Sequence, residues 1–168
     1  TGISKEFKAK EKRNINYAYL NMVDKYELYH GHYAKKTGFT VSEGFLDEMK
    51  TLTYDNEEDF LTSPVYENLV NSYYQKEAAK LANNDSISRD VAFLKVAGGI
   101  PNETIKNKLA YVNSKFGITY TNDLEDFYSA FMTASTNEEN RKEITESYNK
   151  LKTLSKGKVD LTIGSALD

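Results

Sequence analysis

Few of the 168 residues are of types that do chemistry on their own. The two histidines stand together as His30-Gly31-His32. On a helix, positions i and i+2 point roughly 200° apart, so the pair lacks the side-by-side geometry of a metal site. An exposed helix end accounts for them. Asp55-Asn56-Glu57-Glu58-Asp59 has the acidity of a cation loop. A calcium loop counted from Asp55 needs a glycine at its sixth place and an acid at its twelfth, where this chain has Phe60 and Tyr66. Acidic residues in a first helical turn complement the macrodipole, which explains the run without a ligand. Asn83-Asn84-Asp85-Ser86 fails the same test. The absence of cysteine removes disulfides, thiolate metal sites and thiol nucleophiles from this chain. There is no G-x-S-x-G, and a Ser-His-Asp arrangement would have to recruit a histidine from a helix end. Gly98-Gly99 before Pro101 is a helix stop, not a phosphate loop. The inventory names no catalytic, cofactor-binding or metal-binding residue, and no catalysis by this chain is expected.

Tyrosine is the one unusual residue type: there are 13, with no tryptophan. It supplies a large amphipathic surface at low entropic cost, which suits binding faces as well as cores. Tyr19, Tyr26, Tyr73, Tyr128 and Tyr148 fall on apolar stripes and are expected to pack inside. Tyr17, Tyr54 and Tyr111 lie off the stripes and are the expected surface contacts.

The elements that must position these residues read as helices. From Ser4 to about Lys36, Ile15, Tyr19, Met22, Val23, Tyr26, Tyr29 and Tyr33 share one face of a long charged segment, with Tyr17, Leu20 and Leu28 off it. Thr40-Val41-Ser42-Glu43 has the form of a capping box before Phe45, Leu46, Met49 and Leu52. Asp55-Asn56-Glu57-Glu58 repeats the capping-box logic before Phe60 and Leu61, over a short turn. Ser63-Pro64 places a hydroxyl cap before a proline at the first helical position. The helix that follows should end at Asn83-Asn84-Asp85-Ser86. A further helix covers residues 87–97. Another starts at Pro101, carries Ile105, Leu109, Val112 and Phe116, and closes at Gly117. Asn122 with Glu125 resembles a capping box ahead of Leu124, Phe127, Tyr128, Phe131 and Met132. Thr136-Asn137-Glu138-Glu139 is a second box, ahead of Ile144, Tyr148 and Leu151, with Lys156-Gly157 as the stop. Val159, Leu161 and Ile163 alternate over too few residues to make a sheet. The fold class expected is all-α: an irregular bundle of about six to eight antiparallel helices with no sheet of its own.

Composition narrows the function classes. A net charge of −3 with a pI near 5.5 is no footprint for nucleic acid. The only arginines, Arg13, Arg89 and Arg141, leave bidentate anion clamps scarce. No run approaches the ~18 apolar residues of a membrane span. The start, Thr1-Gly2-Ile3-Ser4-Lys5-Glu6, has neither the charged nor the apolar region of a signal peptide and no initiating Met, so the chain reads as processed or as a piece of something longer. Two parts are expected: a helical domain over residues 1–156, and a linker or the start of a following domain over 157–168.

Three segments carry a resemblance. They are Phe60-Leu61-Thr62-Ser63-Pro64-Val65-Tyr66, then Ile105-Lys106-Asn107-Lys108-Leu109-Ala110-Tyr111-Val112, and then Asp126-Phe127-Tyr128 with a last helix reaching Leu154-Ser155-Lys156-Gly157-Lys158. Their order resembles the helical region before the catalytic domain in thioredoxin-like thiol–disulfide oxidoreductases of Bacteroidetes, over roughly residues 60–160. In that family a helix ending in L-x-x-G-K leads into the first strand of the thioredoxin fold. Relatives usually place a proline soon afterwards, where this chain has Val159-Asp160-Leu161. The resemblance implies an adjacent thioredoxin-like domain with a C-x-x-C pair beyond Asp168, and work in the cell envelope or periplasm. It implies a non-catalytic role here, positioning the redox domain or contacting its client protein. Two other readings stand beside it: a stand-alone helical protein- or glycan-binding module, and a domain that pairs with itself through the Ser4–Lys36 segment.

Overall fold

The computed structural model describes the backbone of residues 2–164. Within those residues the chain forms seven α-helices and one 3₁₀ turn, with no strand. The helices are α1 (Lys5–Tyr33), α2 (Glu57–Thr62), α3 (Pro64–Asp85), α4 (Arg89–Gly98), α5 (Glu103–Gly117), α6 (Leu124–Ala134) and α7 (Glu138–Gly164), with the 3₁₀ turn at Asp47–Thr51. Contacts group them into two compact units, one through Tyr73 and one from Tyr74.

Local signals explain most helix starts. The Ser4 side chain accepts from the Phe7 N–H, Asn56 from Asp59 and Asn102 from Ile105, each satisfying a donor that a helix leaves open. The Ser63 carbonyl begins α3 by accepting from the Glu67 N–H. Three caps fall one residue after the expected one. Asn56, not Asp55, caps α2; Asp123, not Asn122, caps α6; and the Asn137 side chain, not Thr136, accepts from the Asn140 N–H at the start of α7. In each place the later residue's short oxygen sits three residues before an open N–H, and that geometry decides the cap.

The larger departure lies at residues 40–52. The capping-box pattern at Thr40–Glu43 opens no α-helix; Gly44 turns with φ +82 and only the 3₁₀ turn follows. Phe45 and Leu46 remain 37% and 38% exposed, and Phe45 packs at the edge of α1, against Tyr26. At the other end α7 continues through Gly157 to Gly164. Residues 165–168 of the expected linker lie outside the described residues.

In the first unit, Tyr17, Leu20 and Val23 of α1 are buried, with Phe60 of α2 and Tyr66, Leu69 and Val70 of α3. In the second, α4 is apolar almost all round, with Val91, Ala92, Phe93, Leu94 and Ala97 buried, as befits a central helix. It packs most extensively on α6, and Gly98 allows the approach: a Cβ there would lie 3.3 Å from the Ala134 Cα. Phe127 and Phe131 of α6, Ile105 and Leu109 of α5 and Ile144 of α7 complete this core.

Candidate functional site

The first unit turns α1 into a helix with two working faces. Its buried face holds polar handles as well as apolar groups. The Arg13 guanidinium donates to both Asp59 oxygens, at 2.7 and 2.9 Å, and the Tyr17 hydroxyl donates to Oδ2 at 2.7 Å. The Asn56 amide adds a bond at 3.0 Å, so Asp59, fully buried, is satisfied from three sides. The Arg13 hydrogen bonds, working against burial and aided by Tyr17, hold the Asp59 carboxyl below its usual range. Burial, followed by the bond to Asp59, pushes the Tyr17 phenol well up. Tyr17 also packs against Tyr66, ring centres 4.6 Å apart; the Tyr66 hydroxyl donates to the Thr53 carbonyl and accepts from the Asn56 N–H. Ser72 of α3 donates to Asp24 at 2.6 Å. Every group in this constellation has its partner within the fold, which makes it a clamp between α1, α2 and α3.

The opposite face of α1 is apolar and largely exposed, with the segment of the 3₁₀ turn packed along its edge at Tyr19 and Tyr26. Ile15 is 71% exposed, Tyr19 45%, Met22 65%, Tyr26 41%, Tyr29 51% and Tyr33 79%. Tyr26 is partly covered by His30, Phe39 and Phe45, with ring centres 5.2, 6.3 and 5.0 Å away. His30 also packs on Phe39 at 4.4 Å, so the histidine pair serves an aromatic cluster at the helix end. Among the described residues no group of three or more His, Asp or Glu is placed to hold a metal ion. Contiguous exposed apolar side chains of this kind mark protein or membrane contacts, ligand grooves or aggregation-prone patches in folded proteins.

The second unit offers polar rims and a cavity. The Tyr111 hydroxyl donates to Glu143 at 2.6 Å and accepts from Lys115 at 3.2 Å, so Tyr111 is half-buried in a bridge between α5 and α7. That bond, with the nearby ammonium, keeps Glu143 below its ordinary value. Tyr128 and Tyr148 stack with ring centres 4.0 Å apart, and Lys152 pairs with Glu125 beside them at 2.7 Å. The Asn107 side-chain oxygen accepts from the Ser135 hydroxyl and the Thr136 and Asn137 N–H groups, at 3.0, 2.8 and 3.2 Å. Arg141 donates to the Ser135 and Met132 carbonyls at 2.7 and 2.6 Å, closing the C-terminus of α6. A cavity of about 290 Å³ is lined by Phe93, Leu94 and Phe127 with Gln75, Asn113 and Ser114, and Arg89 and Asp90 also border it. The Ser114 Oγ, fully buried, has no hydrogen-bond partner there. Gln75 and Asn113 are bonded to each other at 3.0 Å.

The three tyrosines expected on the surface therefore part company. Tyr17 is 7% exposed and belongs to the core; its hydroxyl finds Asp59, which makes burial affordable for a residue outside the apolar stripe. Tyr54 is half-buried and stacked on Tyr73, ring centres 4.0 Å apart. Tyr111 is held in its bridge. Conversely, Tyr19 and Tyr26, expected inside, stand on the open face. Ile15, Met22, Tyr29 and Tyr33 make up the rest of that face; sequence reasoning found the stripe and expected only its Tyr19 and Tyr26 to pack inside, while Val23 of the same stripe is buried. The useful signal was on the other side of the helix. Arg13, Tyr17, Leu20 and Asp24 recur at i, i+4, i+7 and i+11, a row with a polar handle for each neighbouring element. No protein-family model, curated protein or solved structure matches the chain.

Proposed function

We propose that this chain is a non-catalytic helical domain whose work is protein contact, made through the open face of α1. The observation that supports the reading is the contrast on that helix: one face locked to its own unit by the Asp59 clamp, the other carrying six large apolar residues, each at least 41% exposed. A helix fixed on one side and apolar on the other presents a rigid surface at little entropic cost to a partner. The finer proposal follows the resemblance. The chain serves a thiol–disulfide oxidoreductase of the thioredoxin family in the cell envelope, positioning the redox domain or meeting its client. The reading frame beyond Asp168 tests this directly: it should encode a C-x-x-C pair within about one domain length, and a frame without one removes the redox assignment.

The alternative of a glycan-binding module draws on the exposed rings of Tyr29 and Tyr33, which could stack on sugar faces. Binding of the purified chain to a sugar array, lost in Tyr33→Ala, would support it; a flat array would dispose of it.

A further inference from the structure

The residues of the open face step along α1 as 15, 19, 22, 26, 29 and 33, a strict four-three alternation. That is the a/d spacing of a coiled-coil seam, which a helix needs only where it lies along another helix. At their exposures the six residues leave on the order of 800 Å² open, matching the ~800 Å² that each partner contributes to a standard interface. From this geometry we infer that the open face of α1 binds a second copy of this chain, with the two helices antiparallel. The inference rests on reading that face as a docking surface and names its occupant.

Antiparallel pairing about a two-fold axis is self-complementary. Met22 of one copy meets Tyr26 of the other, Tyr19 meets Tyr29 and Ile15 meets Tyr33, so all six residues are covered in a single register. Charge selects the direction. The same alternation continued towards the N-terminus reaches Lys12 and Lys8, which end the apolar seam. A parallel pair would stack each of these lysines on its equivalent. The antiparallel pair carries them past the end of the partner helix, because α1 stops at Tyr33. It also brings Glu11 alongside Lys35 and Lys36 of the second copy and opposes the two helix dipoles. Its like-charge approaches are Lys25 to Lys25 at the axis and Lys12 to Lys36 beyond the helix end, both on the rim, where salt screens them.

Light scattering on the purified full chain is the test. At about 100 µM, above the micromolar Kd expected of a modest interface, the mass should be twice the 19.1 kDa of the chain. The double variant Ile15→Glu/Met22→Glu should return it to the single-chain mass with helical circular dichroism retained. Should that variant lose helix, Tyr29→Glu alone repeats the test at the other end of the seam. Because the chain has no cysteine, register can be read covalently. Met22→Cys chains mixed with Tyr26→Cys chains should cross-link to each other under mild oxidation faster than either links to itself. Single-chain mass at every concentration overturns the inference, as does a dimer indifferent to the charged variants or preferential Met22→Cys self-linking. The frame beyond Asp168 is a separate readout, so loss of the dimer and loss of the redox assignment are distinguishable.

Discussion

Helices α1 and α6 carry similar apolar stripes and use them in opposite ways. In α6, Phe127 and Phe131 are 1% and 0% exposed against α4, and the stripe is the core of its unit. In α1 the stripe faces solvent, while a buried aspartate, an arginine and a tyrosine hold the helix in place from behind. Periodicity reports that a surface is apolar; it does not say whether the cover comes from the same chain. Each substitution below should separate the two cases.

The largest effect belongs to α6. Phe131→Ala should destabilise the second unit by about 4 kcal/mol, the transfer loss plus an unfilled cavity, read as a shift of the urea midpoint. Next comes the clamp behind α1. Asp59→Ala leaves the buried Tyr17 hydroxyl and the part-exposed Arg13 head without their acceptor and should cost about 2 kcal/mol in the first unit, the range for orphaning a buried donor. A loss below about 1 kcal/mol, the level of an exposed ion pair, would mean that the clamp is not what fixes α1. The same carboxylate sets an acid dependence. Its folded pKa is depressed, so its contribution is complete above the unfolded value near 4 and is lost as pH falls toward the folded value. Between about pH 6 and pH 3 the parent chain should lose more stability than Asp59→Asn, which cannot titrate there. Glu103, Glu125 and Glu143 shift in the same direction in both proteins, so the difference between the two curves isolates Asp59.

A smaller gain is expected in the second unit. Ser114→Ala removes a buried hydroxyl without a partner and should stabilise by up to about 1 kcal/mol, provided nothing occupies the cavity it borders. The smallest effect returns to α1. Ile15→Ala, measured dilute enough to keep chains apart, should move stability by no more than about 0.5 kcal/mol. Set beside Phe131→Ala, that near-silence is the sharpest form of the contrast.

The two units were unequally legible. The all-α class and most helix starts follow from short-range chemistry, since a Ser, Asn or Asp oxygen meets an open N–H within three residues. Ile105, Phe127, Phe131 and Ile144 could be placed in the core because the parts of the stripes they stand on are covered from within their own unit. Val112 and Phe116 share the Ile105 stripe yet stay 54% and 70% exposed, since none of the described side chains of their unit covers that end of α5. The burial of Tyr17 depends on Asp59, a residue 42 positions away. Read locally, Asp59 is an acid in a first helical turn. The row of Arg13, Tyr17 and Asp24 is periodic on α1, but its partners Asp59 and Ser72 lie far along the chain, and nothing local marks them as the acceptor and donor that the inward face of α1 meets.

The arginine at the α6–α7 corner has a consequence for how the chain tolerates change in its sequence. Arg141 grips the main-chain oxygens of Met132 and Ser135, so the bond depends on the backbone and not on which side chains stand at those two places. Replacing either residue leaves both acceptors where they are. Arg141 has no such freedom: its planar head spans two carbonyls at once, which the point charge of a lysine does not reproduce.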